Sequence, residues 1–230
     1  LCLRDRTTAV STPTNDATPD VVITTTQAGT IAVAGTSGCG LSSTATMTSG
    51  ANTVTLTITD STEGAYVCTI TFTDTATNAA SALTLTSFTL DTSVATPSET
   101  TAVSTPTNDA TPDVVITTTQ AGTIAVAGTS GCGLSSTATM ASGANTVTLT
   151  ITDSTEGAYV CTITFTDSAG NAASALTLTS FTLDTSVATP SETTAVSTPT
   201  KDTSPDVVIT TTQAGTIVVA GTTGCAIGSA

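Results

Sequence analysis

Asn52-Thr-Val-Thr-Leu-Thr-Ile-Thr-Asp60-Ser-Thr-Glu-Gly-Ala-Tyr66-Val-Cys68-Thr-Ile-Thr-Phe-Thr-Asp74 alternates apolar and polar residues twice, on either side of a short acidic turn. Val54, Leu56 and Ile58 point one way while Thr53, Thr55 and Thr57 point the other. After the turn, Tyr66, Cys68, Ile70 and Phe72 form the second inward set. Period two with one wet face predicts two antiparallel strands that cover a core on one side. A Tyr two residues before a Cys, at the start of a strand and after a Gly turn, predicts a hydroxyl that bonds back across that turn.

Working outward from this pair, the apolar runs place strand A near residues 9–11, B at 20–26, C at 30–35 and a short D at 43–47. E follows at 52–59, F at 65–74 and G at 82–91. Leu83 and Leu85 change phase before Phe88 and Leu90, which predicts a β-bulge near Thr86 and Ser87. Thr occupies 28 of the 93 positions in this unit, and Gly, Pro, Asn and Asp separate the runs. This is strand and turn composition, with little to favour helix. The fold class that follows is all-β: an immunoglobulin-like antiparallel β-sandwich of about seven strands.

The unit is repeated. Residues 8–100 return as residues 101–193, and only Thr48/Ala141, Thr75/Ser168 and Thr77/Gly170 differ. The sequence therefore divides into an N-terminal segment (1–7), two full repeats (8–100 and 101–193) and a partial third (194–230) carrying strands A to C. Tandem copies of one small domain fit a rod or fibre better than an enzyme, which rarely needs its site in series.

Charge narrows the partners. The net charge is -14, and Arg4, Arg6 and Lys201, the three cations, all lie outside the two full repeats. Nucleic acid is excluded as a partner because phosphate contacts need Lys and Arg. The chain has no His, and its full repeats have no cation to hold an oxyanion, so no enzymatic constellation forms. There is no run of 18 apolar residues to span a membrane. With no initiator Met and a start, Leu1 to Arg6, too short for a signal peptide, the sequence reads as a processed chain or a fragment.

If strands alternate direction, C ends where F begins, bringing Cys39 within reach of Cys68 and Cys132 within reach of Cys161. Each bridge contributes roughly 3 kcal/mol by closing its loop in the unfolded chain. Such bridges place the protein outside the reducing cytosol. Cys2 and Cys225 are left over. Cys225 is either free, paired with a downstream segment, or paired with Cys2 of a neighbouring chain in an intermolecular disulfide.

Thr14-Asn15-Asp16-Ala17-Thr18-Pro19, Ala28-Gly29-Thr30, Phe165-Thr-Asp167-Ser-Ala-Gly170-Asn171 and Phe88-Thr-Leu-Asp91-Thr92 resemble the bacterial Ig-like tandem-repeat domains of large extracellular adhesins and surface fibre proteins. The resemblance implies an extracellular or cell-surface array stacked end to end, with calcium at the junctions. Asp16, Asp20, Asp60, Glu63 and Asp91 gather at one pole of the first repeat in an alternating topology. They face Asp167 and Asn171 of the second, which makes these seven the candidate calcium ligands. The other reading is ordinary loop residues in water. The function expected is a structural stalk or filament that self-associates end to end. The alternative is an adhesin module recognising a host glycan or protein.

Overall fold

The computed structural model describes residues 3–35, 38–42, 45–128, 131–135, 138–153, 155–221 and 224–227. All regular structure among them is β. In the first repeat the strands are β1 (Leu3–Thr8), β2 (Asp20–Thr25), β3 (Gly29–Gly35), β4 (Cys39–Leu41), β5 (Thr46–Met47), β6 (Gly50–Ile58), β7 (Gly64–Tyr66), β8 (Cys68–Asp74), β9 (Leu83–Thr84) and β10 (Phe88–Leu90). One sheet has the order β1-β2-β6-β4 and the other β5-β3-β8-β9, with β7 and β10 forming a two-stranded ribbon. Every ladder is antiparallel.

The alternating stretch packs as its pattern demands. Val54, Leu56 and Ile58 of β6 are buried against Cys68, Ile70 and Phe72 of β8, and Tyr66 of β7 joins the same cluster. Five elements of the first repeat, strand G among them, depart from the sequence reading. The first strand is Leu3–Thr8 rather than residues 9–11, so the N-terminal segment supplies it. A strand at Cys39–Leu41 was not foreseen; it pairs with β6, Cys39 facing Ile58. Strand F is two strands, because the chain changes partners at Val67. Before it, Tyr66 pairs with Phe88 of β10; after it, Cys68 pairs with Gly35 of β3. Strand D is shorter than expected, since only Thr46 and Met47 are strand and residues 43 and 44 lie outside the described residues.

Strand G is likewise split, and its register shows the bulge. Tyr66 faces Phe88 and Thr69 faces Thr84, so three steps along one side match four along the other. The extra residue falls between Leu85 and Phe88. It lets Leu85, Phe88 and Leu90 all point inward, with 5%, 1% and 0% exposure. Tyr66 and Phe88 then stack with ring centroids 5.9 Å apart.

The second repeat has the same ten strands: β11 (Ser98–Thr101), β12 (Asp113–Thr118), β13 (Gly122–Gly128), β14 (Cys132–Leu134), β15 (Thr139–Met140), β16 (Gly143–Ile151), β17 (Gly157–Tyr159), β18 (Cys161–Asp167), β19 (Leu176–Thr177) and β20 (Phe181–Leu183). It has its own core cluster, to which Val94 of the inter-repeat segment adds its side chain. Residues 184–230 form a second compact unit. There β21 (Ser191–Thr194) pairs with β22 (Val208–Thr210). The stretch expected to form its strand C, residues 216–221, is not strand. Val207 and Ile209 are 46% and 38% exposed, whereas their counterparts Val114 and Ile116 are fully buried.

Candidate functional site: the inter-repeat junction

The acidic turn after β6 folds on itself first. The Tyr66 hydroxyl shares its one hydrogen between the Thr62 carbonyl and Asp60 Oδ1, both at 2.6 Å. The Asp60 hydrogen bond, burial and the negative charge of Asp60 together raise the Tyr66 phenol above its ordinary pKa. Gly38 makes room for this carboxylate: with φ at 100°, any Cβ there would sit 2.8 Å from the Asp60 carboxyl atoms. Cys39 follows directly and bonds to Cys68, with Cα atoms 5.8 Å apart. Cys132 and Cys161 repeat the bond at 5.9 Å. Each bridge joins the edge strand of one sheet to the start of β8 or β18 in the other, and so ties the two layers together.

The same pole carries the remaining acids, each satisfied locally. Asp16 accepts from the Thr18 backbone N–H (2.7 Å) and hydroxyl (2.9 Å), and Asp20 accepts from the Thr55 hydroxyl at 2.6 Å. Glu63 accepts from the backbone N–H and the hydroxyl of Thr92, both at 3.1 Å. Hydrogen bonds from the Ser93 and Thr92 side chains hold Glu63 below its usual pKa.

The second repeat meets this pole with two loops. Gln120, between β12 and β13, donates from Nε2 to Asp91 Oδ2 at 3.1 Å and to the Ser93 carbonyl at 3.3 Å. Asn171, after β18, donates from Nδ2 to the Asp91 carbonyl at 2.8 Å. Asp167 organises that loop: its carboxylate accepts from the backbone N–H groups of Ala169 and Asn171 and from Asn171 Nδ2. It is only 6% exposed, while Asp74 holds the matching loop of the first repeat with the same bonds and stays more open. Gly170 brings its backbone against Asn15, with the Asn15 side chain 3.4 Å from where a Cβ would lie. The hydrogen bonds from Gln120 recur 93 residues later, where Gln213 donates to Asp184 Oδ2 and the Ser186 carbonyl, both at 3.3 Å.

The structure thus brings Asp91, Asp167 and Asn171 together at the junction. Asp16, Asp20, Asp60 and Glu63 are spread over separate turns and strand ends. Among the described residues no group of three His, Cys, Asp or Glu is placed to hold a metal ion. Calcium takes six to eight oxygens, and these residues, engaged in their own hydrogen bonds, do not fit one such site. Gln120, Asn15 and Val94 are the junction residues that sequence reasoning missed. A polar residue in a turn and a Val in a linker carry no periodic signal, and only the docked neighbour gives them partners. Cys225 is an exposed free thiol, and Cys2 lies outside the described residues.

Residues 93–185 match the family model described as a bacterial Ig-like domain. No curated protein matches the chain. Among solved structures, a biofilm-associated protein BSP domain is 20% identical with a TM-score of 0.27; the match covers 79% of this chain and 30% of that one. The D00-D0 domain of intimin is 15% identical with a TM-score of 0.33, covering 74% of this chain and 98% of that one. The chain therefore spans about a third of the first of these proteins.

Proposed function

We propose, from the premise that residues 93–185 are a bacterial Ig-like domain and that residues 8–100 nearly duplicate the sequence of residues 101–193, that this chain is part of an extracellular spacer, a stalk or filament in which each repeat docks on the next. The observation that carries the reading is the junction. Asp91 is held from two loops of the following repeat, and Gln213 makes the same pair of bonds one period later. A spacer needs only geometry from each copy, and near-identical copies supply it. Array growth by further copies, or end-to-end association of chains, would reuse the same contacts. The disulfides suit an oxidising compartment outside the cell. All four Phe are buried within 1% exposure and both Tyr at 4%, which leaves no aromatic platform for a glycan among the described residues.

Backbone NMR relaxation on the full chain tests this. Docked repeats should share one slow tumbling time, and Gln120→Ala combined with Asn171→Ala should let them tumble separately while each keeps its own dispersed spectrum. Independent tumbling in the unaltered chain would refute the spacer reading.

A further inference from the structure

Two repeats of almost one sequence stand in different surroundings, so a difference in burial between matching residues maps what docking covers. In the loop after β18, Asp167 is buried and Ala169 and Asn171 are half-buried. Their counterparts in the first repeat are more open: Asp74 is half-buried, and Ala76 and Asn78 are exposed. Gln120 is half-buried where Gln27 is exposed. The loop is built alike in both copies. Asp74 accepts from the Ala76 and Asn78 N–H groups and from Asn78 Nδ2 at 2.9, 2.8 and 3.0 Å. Asp167 makes the same three bonds at 2.9, 2.9 and 3.0 Å.

One docking residue differs between the copies. Gly170 lies against Asn15 of the preceding repeat, and the matching position of the first repeat holds Thr77, which is exposed. A Cβ at position 170 would lie 3.4 Å from Asn15 Nδ2 and 3.9 Å from its Cγ and Oδ1. Those are contact distances, so a Cβ alone just fits. Threonine adds two γ atoms about 1.5 Å further out, which fill two of the three staggered positions on that Cβ. They need the space that the Asn15 amide holds. We propose that position 170 selects which repeats can dock: Gly170 admits the Asn15 turn of the preceding repeat, and a threonine there, as at Thr77, refuses it. The partner that the loop of the second repeat fits is a pole with a side chain no larger than asparagine at position 15. Two nearly identical repeats are then not interchangeable in an array, since only the second kind can follow another copy in this geometry. The inference rests on the docked junction of the spacer reading and adds the residue that chooses the partner.

The experiment places Gly170→Thr in the full chain and reads NMR relaxation beside urea unfolding. The first repeat shows that this loop closes with threonine, so the second repeat should keep its dispersed spectrum while the shared tumbling time is lost. Asn15→Ala removes the side chain that threonine meets and leaves the bonds from Gln120 and Asn171. Alone it should keep the shared tumbling time, and combined with Gly170→Thr it should restore it. Backbone strain from threonine lowers the urea midpoint of the second repeat, and Asn15→Ala should not recover that loss, which separates strain from docking. Thr77→Gly, the reverse exchange on the undocked loop, should leave tumbling unchanged. If Gly170→Thr unfolds the second repeat, Asn15→Tyr decides: it fills the same gap from the other side and should also separate the repeats. Shared tumbling in both the parent and Gly170→Thr overturns this inference alone, as does a failure of Asn15→Ala to restore docking. Independent tumbling in the unaltered chain overturns the spacer reading and this inference with it.

Discussion

Thr77 and Gly170 occupy the same turn position in sequences that are otherwise almost the same, and both lie at positive φ, 67° and 95°. A β-branched side chain in the left-handed region is strained, because its Cβ crowds the neighbouring carbonyl. Glycine adopts that conformation freely. Thr77→Gly should therefore stabilise the first repeat by about 1 kcal/mol, read as a higher urea midpoint with unchanged slope. The three substitutions between repeats were plain in the sequence. That one of them relieves backbone strain became visible only from φ, since a turn residue's conformation is set by the loop that Asp74 or Asp167 closes.

At the level of strands, the alternating runs were legible because each has one dry face and one wet face, and burial follows that alternation residue by residue in β6 and β8. The phase change at Leu85 and Phe88 was legible for the same reason, and the register shows the extra residue. The split of strand F at Val67 was not legible. Alternation continues unbroken through Tyr66, Cys68 and Ile70, so only the partners change, β10 before Val67 and β3 after it. The Cys39–Cys68 bond sits at this change of partner. Cys39→Ser with Cys68→Ser should cost the first repeat about 3 kcal/mol, seen as an earlier denaturant transition that dithiothreitol no longer moves. The second repeat, with its own bond, should keep its reductant sensitivity.

For the whole molecule the dominant fact is an acidic chain whose full repeats contain no cation. Hydrogen bonds from Ser93 and Thr92 lower the Glu63 pKa, those from Asn78 lower that of Asp74, and the one from Tyr159 lowers that of Asp153. A carboxyl group whose folded pKa lies below its unfolded value stabilises the fold above the unfolded value, and that contribution fades as pH falls through the folded one. The Tyr66 and Tyr159 phenols are raised, chiefly by Asp60 and Asp153. Their contribution is full below the ordinary phenol value of 10.0 and is lost as pH rises through the folded value. Denaturation midpoints should therefore fall below about pH 4 and again above about pH 10. Replacing both tyrosines with Phe should flatten the alkaline arm and, because the Tyr159 hydrogen bond to Asp153 is lost, also weaken the acid arm.

The sequence by itself determined the period, the all-β class, the inward and outward faces of the central strands and the cysteine pairing. Each of these is written in local spacing, because side-chain direction in a strand repeats every two residues and a repeat copies its own contacts. Tertiary structure alone decided which strand edges meet and which acids stay within their own turns. It also decided that Asp91 is held by Gln120 and Asn171 of the next repeat. Those outcomes depend on distances between segments 29 to 80 residues apart, where hydrogen-bond reach of about 3 Å selects partners that no periodicity records.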